Sequence, residues 1–230
     1  MISMSIWHEH IDIYCERSAF GFWEEPLNAV TNAAFFVAAL AAFMLARRQG
    51  ALAFDTGLLI ALMAVIGAGS FLFHTLATYG AMLADVIPIL IFQIVMIAAY
   101  ARRVMGFDAR RIAGLLAVFV LLGVAFGRLP SDWLNGSLSY APALLFLLGL
   151  GVYHWRHGKA GRWTLLAAGG VFALSLGFRS MDMALCDMIP FGVHFMWHIL
   201  NGCVLYLSFR ALALNYPRRR ADHPPTTAPE

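Results

Sequence analysis

The chain is poor in charge. Only 13% of its 230 residues are Asp, Glu, Lys or Arg, about half the share in an average soluble domain, while 61% are hydrophobic and the mean hydropathy is +0.73. That scarcity excludes a disordered chain, a nucleic-acid binder working through a basic face, and almost any water-soluble enzyme. Cysteine is scarce too: three residues cannot build a disulfide scaffold, although two could pair in an oxidising compartment. The chain opens with neither a basic n-region nor an apolar h-region, and it carries Glu9 and Asp12 instead, so the N-terminal stretch is expected to belong to the mature protein. No internal repeat and no second domain is evident.

Long apolar runs are abundant. They predict seven helices, near 28–46, 56–76, 81–101, 110–127, 139–156, 163–180 and 191–213, because stretches of about 20 apolar residues recur with only short polar breaks. The runs are continuous rather than alternating, and an open sheet would leave unpaired backbone groups in lipid, so strands are not expected. The fold class is therefore an all-α membrane protein with seven transmembrane helices. An N-terminal segment covers 1–27, a transmembrane domain 28–213, and a disordered, first basic and then Pro- and Thr-rich tail 214–230. Of the 16 Lys and Arg, all but Arg17, Arg128 and Arg179 fall on the side of the even breaks and the C-terminus. The positive-inside rule then makes the C-terminus cytoplasmic and places the N-terminus outside. Most of the basic residues are topology anchors, and no nucleic-acid partner is expected.

Ionisable groups within such helices are costly and need a reason. Of eight histidines, His8 and His10 lie in the N-terminal segment, His154 and His157 at a basic helix end, and His223 in the tail. These read as structural or solvated. His74 lies near the outer end of the second helix, and His194 and His198 open the seventh, so the three imidazoles converge about 5–8 Å below the outer interface. The i, i+4 spacing of His194 and His198 lets two imidazoles bind one metal. His74 would complete a three-histidine site with an open fourth position. Ser70 shares the face of His74, and Asp85, early in the third helix, belongs to the same level. Its carboxylate is a fourth ligand, a partner of an imidazole N–H, or a general base. Phe195, Met196 and Trp197 separate the paired histidines, so a base must come from another helix, and Asp85 is the carboxylate placed for it.

Ser70-x-x-x-His74, Asp85 eleven residues later, and His194-x-x-x-His198 resemble the motifs of the alkaline ceramidases, in a superfamily shared with the adiponectin receptors. Tyr79-Gly80, Trp197-His-Ile-Leu-Asn-Gly202 and Glu25-x-x-Asn28-x-x-x-Asn32 agree with that resemblance. It implies zinc on His74, His194 and His198, and hydrolysis of a ceramide-like membrane lipid amide to a fatty acid and a sphingoid base. It also implies proton transfer by Asp85 and oxyanion support from Ser70. Members also bind calcium through an acidic N-terminal segment, which here points to Asp12, Glu16, Glu25 and Asn28, although Ser18 stands where an amide side chain is usual. The alternative to calcium is that the acidic side chains are solvated or cap the first helix. The resemblance further implies a Cys15–Cys186 disulfide tying the N-terminal segment over the metal site, with Cys203 a buried free thiol. A bis-histidine haem protein would leave Asp85, Ser70 and one histidine unexplained, and a non-catalytic seven-span lipid receptor or lipid-binding protein is the other rival. Small loops point to a bacterial inner membrane, with the site on the periplasmic side.

Overall fold

The computed structural model describes residues 6–130 and 132–217. Among these residues, seven helical lengths are long and apolar enough to cross a membrane. The first is made of α1 (Pro26–Thr31) and α2 (Ala33–Gln49), which run on through Asn32. It is followed by α3 (Phe54–Leu76), α4 (Tyr79–Arg103), α5 (Ala109–Phe126), α6 (Ala141–Arg156), α7 (Thr164–Met181) and α8 (Phe195–Leu214). Among the described residues there is no strand, only an isolated bridge between His10 and Thr78. Local chemistry fits these limits. Pro26 takes the first turn of α1, where its missing N–H costs nothing. Thr78 and Asp108 accept backbone N–H bonds at the starts of α4 and α5. The fifth span, α6, differs from expectation: a 3-10 segment, Trp133–Tyr140, extends it at its N-terminal end. The last begins at Phe195, with His194 as its N-cap in helical conformation.

Successive helices pack in order around a ring, and α8 closes it against α2. The largest apolar cluster, including Leu59, Met63, Tyr100, Leu165, Phe209 and Leu212, gathers around one end of the bundle. Polar ties fix the same end. Asp55 accepts from Arg103 Nε at 2.8 Å and from the Tyr216 hydroxyl at 2.9 Å. The Tyr100 hydroxyl donates to His154 Nδ1 at 2.6 Å, while His154 Nε2 donates to the Ala160 carbonyl at 3.1 Å, so this buried histidine is fully paired inside the protein. Asn215, at the start of the stretch read as tail, accepts from Ala160 N at 2.9 Å. Of the tail expected to be disordered, 214–230, the part from residue 218 onward, including His223, lies outside the described residues. Cys203 is free as expected but exposed, because it points off α8 away from the bundle.

The opposite end is crossed by the N-terminal segment, which acts as a strap. Ile11 N donates to the Ala77 carbonyl at 2.8 Å, and Tyr79 N donates to the Glu9 carbonyl at 2.9 Å. Cys15 is bonded to Cys186, with Cα atoms 5.5 Å apart, and this pins the strap to the loop before α8. Gly192 makes the approach possible. Its φ is +62°, and a Cβ there would lie 2.3 Å from Asp182 Oδ1 and 2.7 Å from Cys15 Cβ.

Candidate metal centre

His74 ends α3 and His198 lies one turn into α8, both facing the bundle interior, and the N-cap residue His194 joins them. All three are buried, and one ring nitrogen from each lies within 4.8 Å of the others, so the group could hold a metal ion. The hydrogen bonds behind the rings assign the tautomers. Glu25 Oε2 accepts from His74 Nδ1 at 2.5 Å. Thr31 donates its hydroxyl to the carbonyls of Leu27 and Asn28, at 2.8 and 3.1 Å, and so accepts from His198 Nδ1 at 2.9 Å. Both Nε2 atoms are then unprotonated, and they face one another at 3.1 Å. Two lone pairs at that distance repel, and a shared Lewis acid removes the repulsion. His194 Nδ1 is buried without a hydrogen-bond partner among the described residues. The donor set therefore fits a metal: three neutral imidazoles, two of them held by a carboxylate and a hydroxyl behind the ring.

Backbone geometry brings a second pair of groups to this level. Gly69 lets α3 touch α4: a Cβ at that position would stand 2.1 Å from the Ala84 carbonyl oxygen. The contact places the Asp85 carboxylate beside the Ser70 hydroxyl, with the His74 ring and the Arg179 guanidinium nearby. Ser70 and Asp85 thus stand beside the group formed by His74, His194 and His198.

Several participants escaped the sequence reading. Tyr14, from the strap, stacks on His194 with ring centroids 3.7 Å apart, and burial pushes its phenol well above the usual range. Asp182 is almost completely buried. Its Oδ1 accepts from Val193 N at 2.7 Å and His194 N at 2.8 Å, and its Oδ2 accepts from Cys15 N at 3.0 Å, so one carboxylate sets the entry to α8 and the strap together. Arg179 spreads its guanidinium over Tyr140 and Trp197, 5.4 and 5.7 Å from the ring centroids, and donates to Ser137 Oγ and the Asn135 carbonyl. Its signal in sequence was that it is one of three basic residues on the sparse side, with aromatic partners distant along the chain.

The residues expected to hold calcium have other occupations. Glu16 accepts from the backbone N–H of Leu27 and Asn28 at 2.7 and 2.8 Å, capping α1. Glu25 takes Arg17 Nε on Oε1 at 2.5 Å, and His74 Nδ1 and Asn28 Nδ2 on Oε2. Burial works against the Glu25 carboxylate, but these donors more than offset it and hold its carboxyl below the ordinary range. Asp12 is exposed. Among the described residues, Asp12, Glu16 and Glu25 do not bring their oxygens together at one point.

Below the histidines an apolar cleft runs between the helices. Phe35, Tyr140 and Trp197 form its upper rim, and Phe92, Phe119, Phe146 and Leu150 line it deeper. From Trp197 to Ser208, both in its wall, eleven residues of α8 span about 16 Å. Phe35 also packs against His198, with ring centroids 6.3 Å apart, so one wall residue of the cleft touches the metal centre. No curated protein matches the chain. Residues 14–224 match the family model described as Ceramidase.

Proposed function

Because the chain belongs to the ceramidase family, we propose that it is a zinc-dependent hydrolase, working within the membrane, that cleaves a ceramide-like lipid amide to a fatty acid and a sphingoid base. The observation that carries this reading is the meeting of two unprotonated imidazole nitrogens and one unpartnered one beside the Ser70 and Asp85 pair. Zinc on His74, His194 and His198 would acidify a water and polarise the amide carbonyl. Asp85 takes a proton from the attacking water and delivers it to the amine as the C–N bond breaks, so the acyl carbon gains an oxygen and the sphingoid base leaves as a neutral amine. The Ser70 hydroxyl donates to the oxygen on which charge develops. The cleft receives a hydrocarbon chain and keeps water from the reacting carbon. Arg47 and Arg48 close α2 and Arg102 and Arg103 close α4, all at the end away from the histidines. By the positive-inside rule that end is cytoplasmic, and the site faces outward, toward the periplasm in a bacterial inner membrane.

The test compares wild type with Asp85→Asn on a total lipid extract, reading released fatty acid and sphingoid base by mass spectrometry and bound zinc by metal analysis. The variant is expected to keep its zinc and lose at least about a hundredfold in turnover. Undiminished turnover would move the base elsewhere. Lipid bound by wild type with no amide cleaved would favour a lipid-binding protein.

A further inference from the structure

The acidic N-terminal segment, which the family resemblance assigns to calcium, already surrounds a cation that is part of the chain. Arg17 is only 6% exposed. Its Nε donates to Glu25 Oε1 at 2.5 Å, Nη1 to the Ala19 carbonyl at 3.0 Å, and Nη2 to the His74 carbonyl at 2.9 Å. A carboxylate and two carbonyl oxygens are the donors a hard divalent ion selects, and here all three point at one guanidinium. Calcium needs six to eight oxygens, and the remaining acidic groups are not available to supply them. Glu16 is spent on α1, Asp12 is exposed, and Ser18 bonds Glu24 at 3.0 Å on the surface. The buried, unpartnered Oδ1 of Asn28 is one spare oxygen, far short of a shell.

The position of Arg17 gives this substitution a task. Glu25 bridges Arg17 on one oxygen and His74 Nδ1 on the other. The same guanidinium holds the backbone carbonyl of His74. One side chain of the strap therefore fixes both the main chain and, through Glu25, the ring of a histidine in the metal centre. We propose that Arg17 is a built-in counter-cation, a positioning residue that orients Glu25 and His74 where relatives are expected to use calcium, so that this protein holds its metal without a divalent ion in the strap. The proposal rests on the three-histidine metal site and is independent of the lipid cleaved.

The test uses the full-length protein purified in detergent and follows two quantities that need no substrate, zinc affinity by chelator competition and the midpoint of thermal unfolding. For wild type with its histidine site kept loaded by zinc, millimolar calcium is expected to leave the midpoint unchanged. An ion bound only by the folded state would raise it by mass action, so a calcium-dependent rise, or calcium copurifying one to one, would overturn the proposal. Arg17→Met keeps the bulk and removes the charge, and it is expected to weaken zinc about 10- to 100-fold, the usual effect of losing a group that supports a ligand. Arg17→Lys restores charge without the planar fork and should fall between the two. Zinc affinity in Arg17→Met equal to wild type, or a lysine variant no better than methionine, would also overturn it. The wild-type calcium titration decides the calcium question even if neither variant folds. Absence of lipid turnover would defeat the hydrolase reading while leaving these measurements intact.

Discussion

Thr31 shows how little of a candidate metal site need be charged. Its hydroxyl is committed as donor to the helix behind it, which leaves only its acceptor side for His198 Nδ1 and so fixes which nitrogen of that ring faces the cluster. Thr31→Val keeps the shape and removes the acceptor, so His198 can turn or change tautomer. We expect zinc affinity to fall about 10- to 100-fold, measured by chelator competition, with helix content unchanged by circular dichroism. His198→Ala removes a ligand outright and should lose most of the metal. The histidines were legible in the sequence because an imidazole in an apolar run is rare and costly. The threonine was not, since a hydroxyl can satisfy itself on its own helix and nothing local shows that His198, 167 residues away, is its second partner. Arg17 and Asp182 were hidden for the same reason. The acidic segment hid its contacts in the same way: carboxylates look like cation ligands in sequence, and nothing local shows that oxygens of Glu16 accept from helix N–H groups and one of Glu25 from an arginine.

At the scale of elements, the contact of α3 with α4 decides whether Asp85 meets its neighbours. Gly69→Ala puts a methyl 2.1 Å from the Ala84 carbonyl, which backbone alone can relieve. Such overpacking costs about 1–3 kcal/mol, and the shift carries Asp85 away from Ser70. Turnover should therefore fall by much more than the loss of folded protein explains. Gly57, on the same helix, has no neighbour within 4 Å of a Cβ, so Gly57→Ala serves as the control, neutral or slightly stabilising. Activity assays beside thermal unfolding of both variants check this, and equal behaviour of the two would remove the close approach as the cause. Helix number and order were readable from hydropathy. The 3-10 entry to α6 and the late start of α8 were not, because Leu134, Asn135 and Gly136 take positive φ under tertiary constraint and His194 is held as an N-cap by Asp182.

Across the whole molecule, the strap and the loop before α8 are joined through a disulfide with a sequence separation of 171. Cys15→Ser or Cys186→Ser should cost about 2–5 kcal/mol, read as a lower unfolding midpoint, and should release Tyr14 from His194. Metal retained at wild-type affinity in both variants would show that the buried contacts of Arg17 and Asp182 hold the strap unaided. Long-range closure of this kind leaves no periodic trace in a sequence, so a cysteine pairing is read only from likeness to other chains.

The ring that α8 closes against α2 also sets an order of events during biosynthesis. His74 emerges from the ribosome early, but His194 and His198 are contributed by the last helix, and the threonine that orients His198 belongs to the first. A nascent chain stalled before that last helix carries at most one imidazole of the three, too few for the candidate centre. A metal that needs all three rings could therefore be taken up only once the last helix is in place, and a truncated product lacks the candidate centre altogether.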